Sequence, residues 1–338
     1  MTLAAPRPVP FLLTFDIHAR ENLELEWNTC LDVLATLGLR ATFFLPGIYV
    51  RERPLAPTLR RLVGEGHQLA CHGLLHRSPE DFSAAPLETQ IAYIRRATDL
   101  LEQAAQTPVT AFRGPGFCVS PSTLLALEHC GYRADLSVNP QRLGPLSTQV
   151  GNVGWLTAPR RPYHPRRTNP YRPGDLALWE IPTTACILPF TSMVYQYLGL
   201  GFTRWFSRGL FAEARIRRTP LVYMGHPEEF FPSRTVHPRL RLKWHLFYPR
   251  KGSGFRARHL LQERDEHRIY QRNREMIRFL CAQEDFQSLT VNEYLDRREG
   301  RAEGHVPGHA PGPPDSTSER LPPAEWARGA PPVVRAKR

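Results

Sequence analysis

What most limits the folds open to this chain is an alternation of short apolar runs with stretches of helical spacing. Residues 9–16 (VPFLLTFD) form an almost wholly apolar run ending in an acid, the pattern of a strand buried on both faces. Residues 22–39 then place Leu25, Cys30, Leu31, Val33, Leu34 and Leu37 at helical spacing, with Gly38 as the stop. Residues 41–45 read as the next strand, 57–65 as a helix stopped by Gly66, and 67–71 as a third strand. The clearest amphipathic helix spans 86–106, with Ile91, Ile94, Ala97, Leu100 and Leu101 on one stripe. Strand 110–112 and helix 120–130 follow, the helix opened by Ser120-Pro121 and closed by Gly131. This repetition predicts a parallel α/β sheet or barrel with right-handed crossovers.

Residues 141–176, rich in Pro, Arg, Gly and Asn, break the rhythm and read as a surface insertion. Strands at 177–182 and 221–224, a long charged helix at 256–281, and a last strand and turn at 286–295 resume it. One catalytic domain over 1–296 is expected. Residues 297–338 are Pro, Gly, Ala and charge with almost no apolar periodicity, the composition of a disordered tail.

The formal charge of +12 comes almost wholly from arginine, the only lysines being Lys243, Lys251 and Lys337. Such an excess suits an anionic partner, but charge alone does not argue for nucleic acid and none is expected. Residues 190–218 mix aromatic and aliphatic side chains with Arg204, Arg208, Arg215, Arg217 and Arg218. That mixture suits either packing across the barrel or the interface of an anionic membrane. The first ten residues lack a charged start followed by an apolar stretch, and no run of about 18 apolar residues occurs. A cytoplasmic chain, with peripheral association at the inner membrane face, is therefore expected. Six scattered cysteines without CxxC spacing fit reduced thiols.

Chemistry-bearing residues fall where these strands end, which is where α/β folds collect function. Asp16 and His18 end the first strand, and His72 and His76 follow the third. A helical turn after residue 71 would set the two imidazoles, spaced i and i+4, on one face within reach of one cation. Arg113 follows the fourth strand, Asp135 the fifth, and His226 the run 221–224.

In order, Thr14-Phe15-Asp16, His72-Gly-Leu-Leu-His76, Phe112-Arg113-Gly114-Pro115-Gly116, Asp135-Leu136-Ser137-Val138 and Tyr223-Met224-Gly225-His226-Pro227 resemble the five motifs of the polysaccharide deacetylases with a NodB-type domain. The resemblance covers residues 11–295. It implies a distorted (β/α)7 barrel that removes an N-acyl group from an amino sugar using one divalent metal, usually zinc, with cobalt as an alternative. By this resemblance Asp16 is the general base, His226 the general acid, and His72 and His76 metal ligands. Arg113 and Asp135 are the groups that hold Asp16 and His226 respectively. The family usually supplies a second acid just after the first, whereas here Asp16-Ile17-His18 supplies a histidine. His18 is therefore expected as third ligand; the rival readings are that Asp16 itself ligates the metal, or that the site holds metal poorly or does other chemistry.

The resulting expectation is a metal-dependent deacetylase or deformylase of an amino sugar or glycan precursor, with a lipid-linked substrate suited to the basic surface. Two alternatives stand beside it: hydrolysis of a small non-sugar amide on the same barrel, and a degenerate, non-catalytic carbohydrate-binding barrel.

Overall fold

Strand β1 (Val9–Asp16) shows how the chain divides its apolar residues between two cores. Phe11, Leu13 and Phe15 join the large core shared with the helices. Leu12 belongs to a smaller cluster with Phe44, Ala70, Ala111, Ala134, Leu136, Ile181, Val222 and Leu289. Successive strand side chains point to opposite faces, so the first set faces the helices and the second fills the interior of a curled sheet.

The computed structural model describes residues 8–78, 80–141, 153–238, 244–248, 260 and 262–301, all within one unit, Met1–Val306. After β1 come β2 (Thr42–Leu45), β3 (Gln68–Cys71), β4 (Ala111–Phe112) and β5 (Ala134–Asp135). Two hairpins, β6 (Pro165–Arg166) with β7 (Asn169–Pro173) and β9 (Ala185–Cys186) with β10 (Leu188–Pro189), flank β8 (Trp179–Glu180). Strands β11 (Leu221–Gly225) and β12 (Phe286–Leu289) complete the set. The main sheet runs β11-β1-β2-β3-β4-β5-β8, parallel throughout, and β12 adds to β1. Phe11 and Leu12 pair with β11 and β12 at once, so these two strands lie on opposite edges of β1. Thr14 and Phe15 likewise pair with both β11 and β2. Hence β12 and β2 share one edge, β12 low and β2 high, and the barrel path keeps seven strands. It is the distorted α/β barrel expected.

The helices are α1 (Leu23–Thr36), α2 (Tyr49–Glu52), α3 (Ala56–Gly64), α4 (Leu87–Ala105), α5 (Pro121–His129), α6 (Gly154–Thr157), α7 (Ser192–Arg217), α8 (Glu266–Cys281) and α9 (Val291–Glu299). Helix α1 presses Trp27, Cys30, Leu31 and Leu34 fully into the outer core, each large side chain contributing about 1.5–3 kcal/mol. Gly38 ends it at φ +63°, a conformation glycine adopts without a Cβ penalty. Ser120 caps α5 in a reciprocal box with Thr123, and Pro121 occupies the first turn.

Several elements differ from the sequence expectation. The segment after β12 is helix α9 rather than a turn, because Thr290 and Glu293 form a capping box. It runs to Glu299, past the expected start of the tail at Arg297; residues 302–338 lie outside those described. The charged helix starts at Glu266, not residue 256, because the Asp265 carboxylate accepts the His267 and Arg268 amides as N-cap; residues 256–259 and 261 are not described. Within the insertion, 142–152 are outside the described residues, while Trp155 is fully buried with its ring 6.4 Å from that of Phe117. That part of the excursion is core, not surface.

Candidate active site

The inner face of the barrel decides which strand-end residues meet. Asp16 lies two alternations beyond inner Leu12, His72 one beyond Ala70, Arg113 one beyond Ala111, and His226 two beyond Val222. All four therefore turn toward the same space at the carboxyl ends of the parallel strands. Asp135 is one residue beyond inner Ala134 and one before inner Leu136, which turns it to the other face.

Arg113, fully buried, ties the floor of the site together. Its Nη1 donates to Asp16 Oδ1 at 2.6 Å, its Nη2 to Thr14 Oγ1 at 3.0 Å and its Nε to the Leu136 carbonyl at 3.2 Å. The guanidinium also lies 4.3 Å over the Phe44 ring. Burial pushes the Asp16 carboxyl up, but Arg113, with His72 and His226 nearby, outweighs it and holds Asp16 well below the usual carboxylate range. Asp16 is an ionised carboxylate with only 4% exposure.

One donor nitrogen from each of His18, His72 and His76 lies within 4.8 Å of the others. Their assembly is not the helical turn the i, i+4 spacing suggests. Gly73 at φ +75° and His76 at φ +55° bend the chain instead, and the Glu80 carboxylate fixes the bend by accepting the amides of Leu74 (2.6 Å), Leu75 (3.1 Å) and His76 (2.8 Å). A Cβ on residue 73 would stand 2.8 Å from Glu80 Oε2, so glycine is required there. Glu80 escaped the sequence reading because it belongs to no motif; an acid four residues after a histidine in a Gly-containing loop was the available signal.

These imidazoles fit a divalent metal on two observations. His72 Nδ1 donates to the Arg113 carbonyl at 2.7 Å, which fixes the tautomer and leaves Nε2 with its lone pair. His76 Nε2 is buried with no hydrogen-bond partner. Burial, chiefly, lowers His72 to about 3 and pushes His18 and His76 down as well, keeping all three neutral as ligands must be.

His226 completes the cluster, its ring 4.9 Å from that of His18. It stands at the start of the short 3-10 turn Pro227–Phe230, where its backbone amide donates to Glu229 Oε2 at 3.2 Å. Burial disfavours its charge, but Glu229, whose Oε1 is 3.6 Å from Nδ1, together with Glu228 and Asp16, overrides this and raises it to about 9. Asp135, the expected partner of His226, instead accepts the Ser137 hydroxyl and hydrogen-bonds the buried Glu180 carboxyl, its Cα partner on β8. Burial, chiefly, lifts Asp135 to about 6 and Glu180 well above its usual value, so the two acids share a proton. The acid beside His226 is Glu229, from the same turn.

Residues 5–134 match the sequence profile of the family described as Polysaccharide deacetylase. A chitooligosaccharide deacetylase from Sinorhizobium fredii is 31% identical over 112 residues, which cover 33% of this chain and 50% of that protein. The chain thus matches half the length of that curated relative. A crystal structure of a polysaccharide deacetylase-type protein from Mycobacterium smegmatis superposes with a TM-score of 0.56 at 17% identity, covering 90% of this chain and 96% of the other. That likeness extends the shared fold beyond the matched segment to nearly the whole chain. Residues 5–134 are thus similar in sequence to the polysaccharide deacetylases, and the fold likeness runs on through the barrel that they begin.

Proposed function

We propose that the protein is a metal-dependent hydrolase that removes an N-acyl group, acetyl or formyl, from an amino sugar. The observation that carries this reading is the convergence of an ionised Asp16, three neutral imidazoles and a charged His226 in one space at the strand ends. His18, His72 and His76 would hold the ion, zinc being suited to three imidazoles. A divalent ion there supplies Lewis acidity toward the amide carbonyl and makes water a better nucleophile near neutral pH. Arg113 keeps Asp16 ionised and aimed, so its free oxygen accepts the proton of the attacking water. His226, its Nδ1 side taken by Glu229, presents Nε2–H to the leaving nitrogen, which departs poorly as an anion. The test is release of free amine from N-acetylglucosamine oligomers: activity abolished by chelation, restored by zinc or cobalt and lost in Asp16→Asn supports the reading, and turnover indifferent to chelation contradicts it.

The finer expectation, a lipid-carried substrate at an anionic membrane, draws support from α7. No described helix is long and apolar enough to cross a membrane, but α7 exposes Trp205 (67%) and Ile216 (83%) beside exposed Arg208 and Arg218. Its Arg215 and Arg217 are held by Asp285 and Glu213, whereas Arg208 lies over the Phe279 ring; Trp205, Arg208 and Arg218 are the positions to test. Sedimentation with phosphatidylglycerol vesicles at low salt, weakened by Trp205→Ser with Arg208→Gln and Arg218→Gln, is the expected result; no binding by the wild type overturns this part.

A further inference from the structure

The deacylase reading needs a proton at the leaving nitrogen, and the acid that positions the donor is not the one the family pattern names. Asp135 sits on the other face of the sheet and is occupied by Ser137 and Glu180. We propose that Glu229 positions His226 for proton delivery to the leaving amine, an inference that rests on the deacylase reading.

The geometry of Glu229 is that of a fixed support. It is 6% exposed, and both oxygens are held by groups other than the imidazole. Oε1 accepts the Ser192 hydroxyl at 2.6 Å and the Gln196 amide at 3.0 Å, both from the first turns of α7. Oε2 accepts the His226 backbone amide at 3.2 Å. These bonds place Oε1 3.6 Å from His226 Nδ1, close enough for a small ring rotation to close a hydrogen bond, as catalytic contacts commonly do on binding substrate. Gly225 leaves the room: a Cβ there would approach Oε2 to 3.1 Å. Histidine and carboxylate come from one i, i+3 turn, and α7 clamps that turn from outside. The Nδ1 side is thereby filled, which leaves Nε2 as the nitrogen to serve the leaving group in the space that His226 shares with His18, whose ring is 4.9 Å away. An acid on an imidazole's far nitrogen fixes ring and tautomer without touching substrate, so Glu229 is a positioning residue.

The test separates leaving groups. An amide nitrogen must be protonated to depart, whereas p-nitrophenolate leaves as the anion, so a misaligned His226 harms amide hydrolysis far more than hydrolysis of p-nitrophenyl acetate. Glu229→Gln, which keeps the shape and, with its oxygen toward Ser192 and Gln196, the α7 contacts while giving up the bond from the His226 backbone amide, is expected to lower kcat for N-acetylglucosamine oligomers by about 10²-fold, the lower bound of typical general-acid effects. KM and bound metal should change little, the aryl ester should lose far less, and Glu229→Asp should recover part of the loss. Equal losses on amide and ester, or an amide-selective loss in Asp135→Asn instead of Glu229→Gln, would overturn the proposal. Nitrogen NMR of the imidazoles, taken at a pH where His226 is neutral, reads the pairing without turnover: the proton that remains on His226 is expected on Nδ1, with the tautomer balance altered in Glu229→Gln. If that change is seen while the wild type releases no amine, the deacylase reading fails and the pairing stands; if the His226 signals ignore Glu229→Gln, the pairing itself fails.

Discussion

Replacing Arg113 with methionine removes the one cation that faces Asp16 from the barrel floor. Arg113 is fully buried and Asp16 only 4% exposed, so the variant leaves a carboxylate in a dry space with its 2.6 Å partner gone. Two acceptors, Thr14 Oγ1 and the Leu136 carbonyl, also lose their donor. Breaking a buried pair by removing one partner costs about 3–5 kcal/mol, which for a domain of this size lowers Tm by about 5–15 °C. The pH dependence follows from the same contact. In the wild type the folded-state pKa of Asp16 is depressed, so its stabilisation is present above the unfolded value and is lost only as pH falls through the low folded value. In Arg113→Met burial dominates, the folded-state pKa rises, and the variant regains stability as pH falls through that raised value. Urea unfolding in the presence of chelator, at pH 7 and again near pH 4, should show a large gap that narrows on acidification. Adding Asp16→Asn to Arg113→Met should recover part of the loss at pH 7, since the uncompensated charge is gone. A cost below about 1 kcal/mol, within the range of an exposed ion pair, or no recovery in the double variant, would refute this account of Arg113.

Other perturbations have equally definite outcomes. Glu80→Ala frees three amides that hold the His76 bend and is expected to weaken zinc affinity by about 10–100-fold, the usual effect of losing an outer support, as read by competition with a chromophoric chelator. Because His226 is raised to about 9 in the metal-free site, its imidazole signals in the chelated protein should titrate above the usual histidine range, and a midpoint below pH 7 would contradict the support from Glu229 and Glu228. Asp135 is raised to about 6, so the pair's stabilisation is full below the unfolded value and is lost as pH rises through about 6; Glu180→Gln should flatten this slope in thermal melts, and an unchanged slope would show that the two acids do not share a proton.

Much of the barrel was readable because β1, β2, β3 and β11 are short apolar runs with glycine or proline close by, and because α4 carries a clean stripe. The misreadings have local causes. His72 and His76 were set on a helical turn by spacing alone, but a turn with Gly73 and His76 at positive φ and three amides on Glu80 lies outside any periodic pattern. Asp135 was paired with His226 by motif order, although the alternation of inner residues in its own strand turns it away. The same parity, applied to Leu12, Ala70, Ala111 and Val222, selects Asp16, His72, Arg113 and His226. The contact between Glu229 and α7 joins residues 33 to 37 positions apart, and no sequence period reaches that far.

The claim on which the rest depends is that His18, where the family pattern has an acid, joins His72 and His76 in one metal site. Metal content measured on the zinc-reconstituted, desalted protein tests it most directly. The account predicts about one zinc per chain in the wild type, as expected of a three-imidazole site, and a large loss of zinc in His18→Ala at unchanged Tm of the chelated protein. Full zinc occupancy in His18→Ala would contradict it.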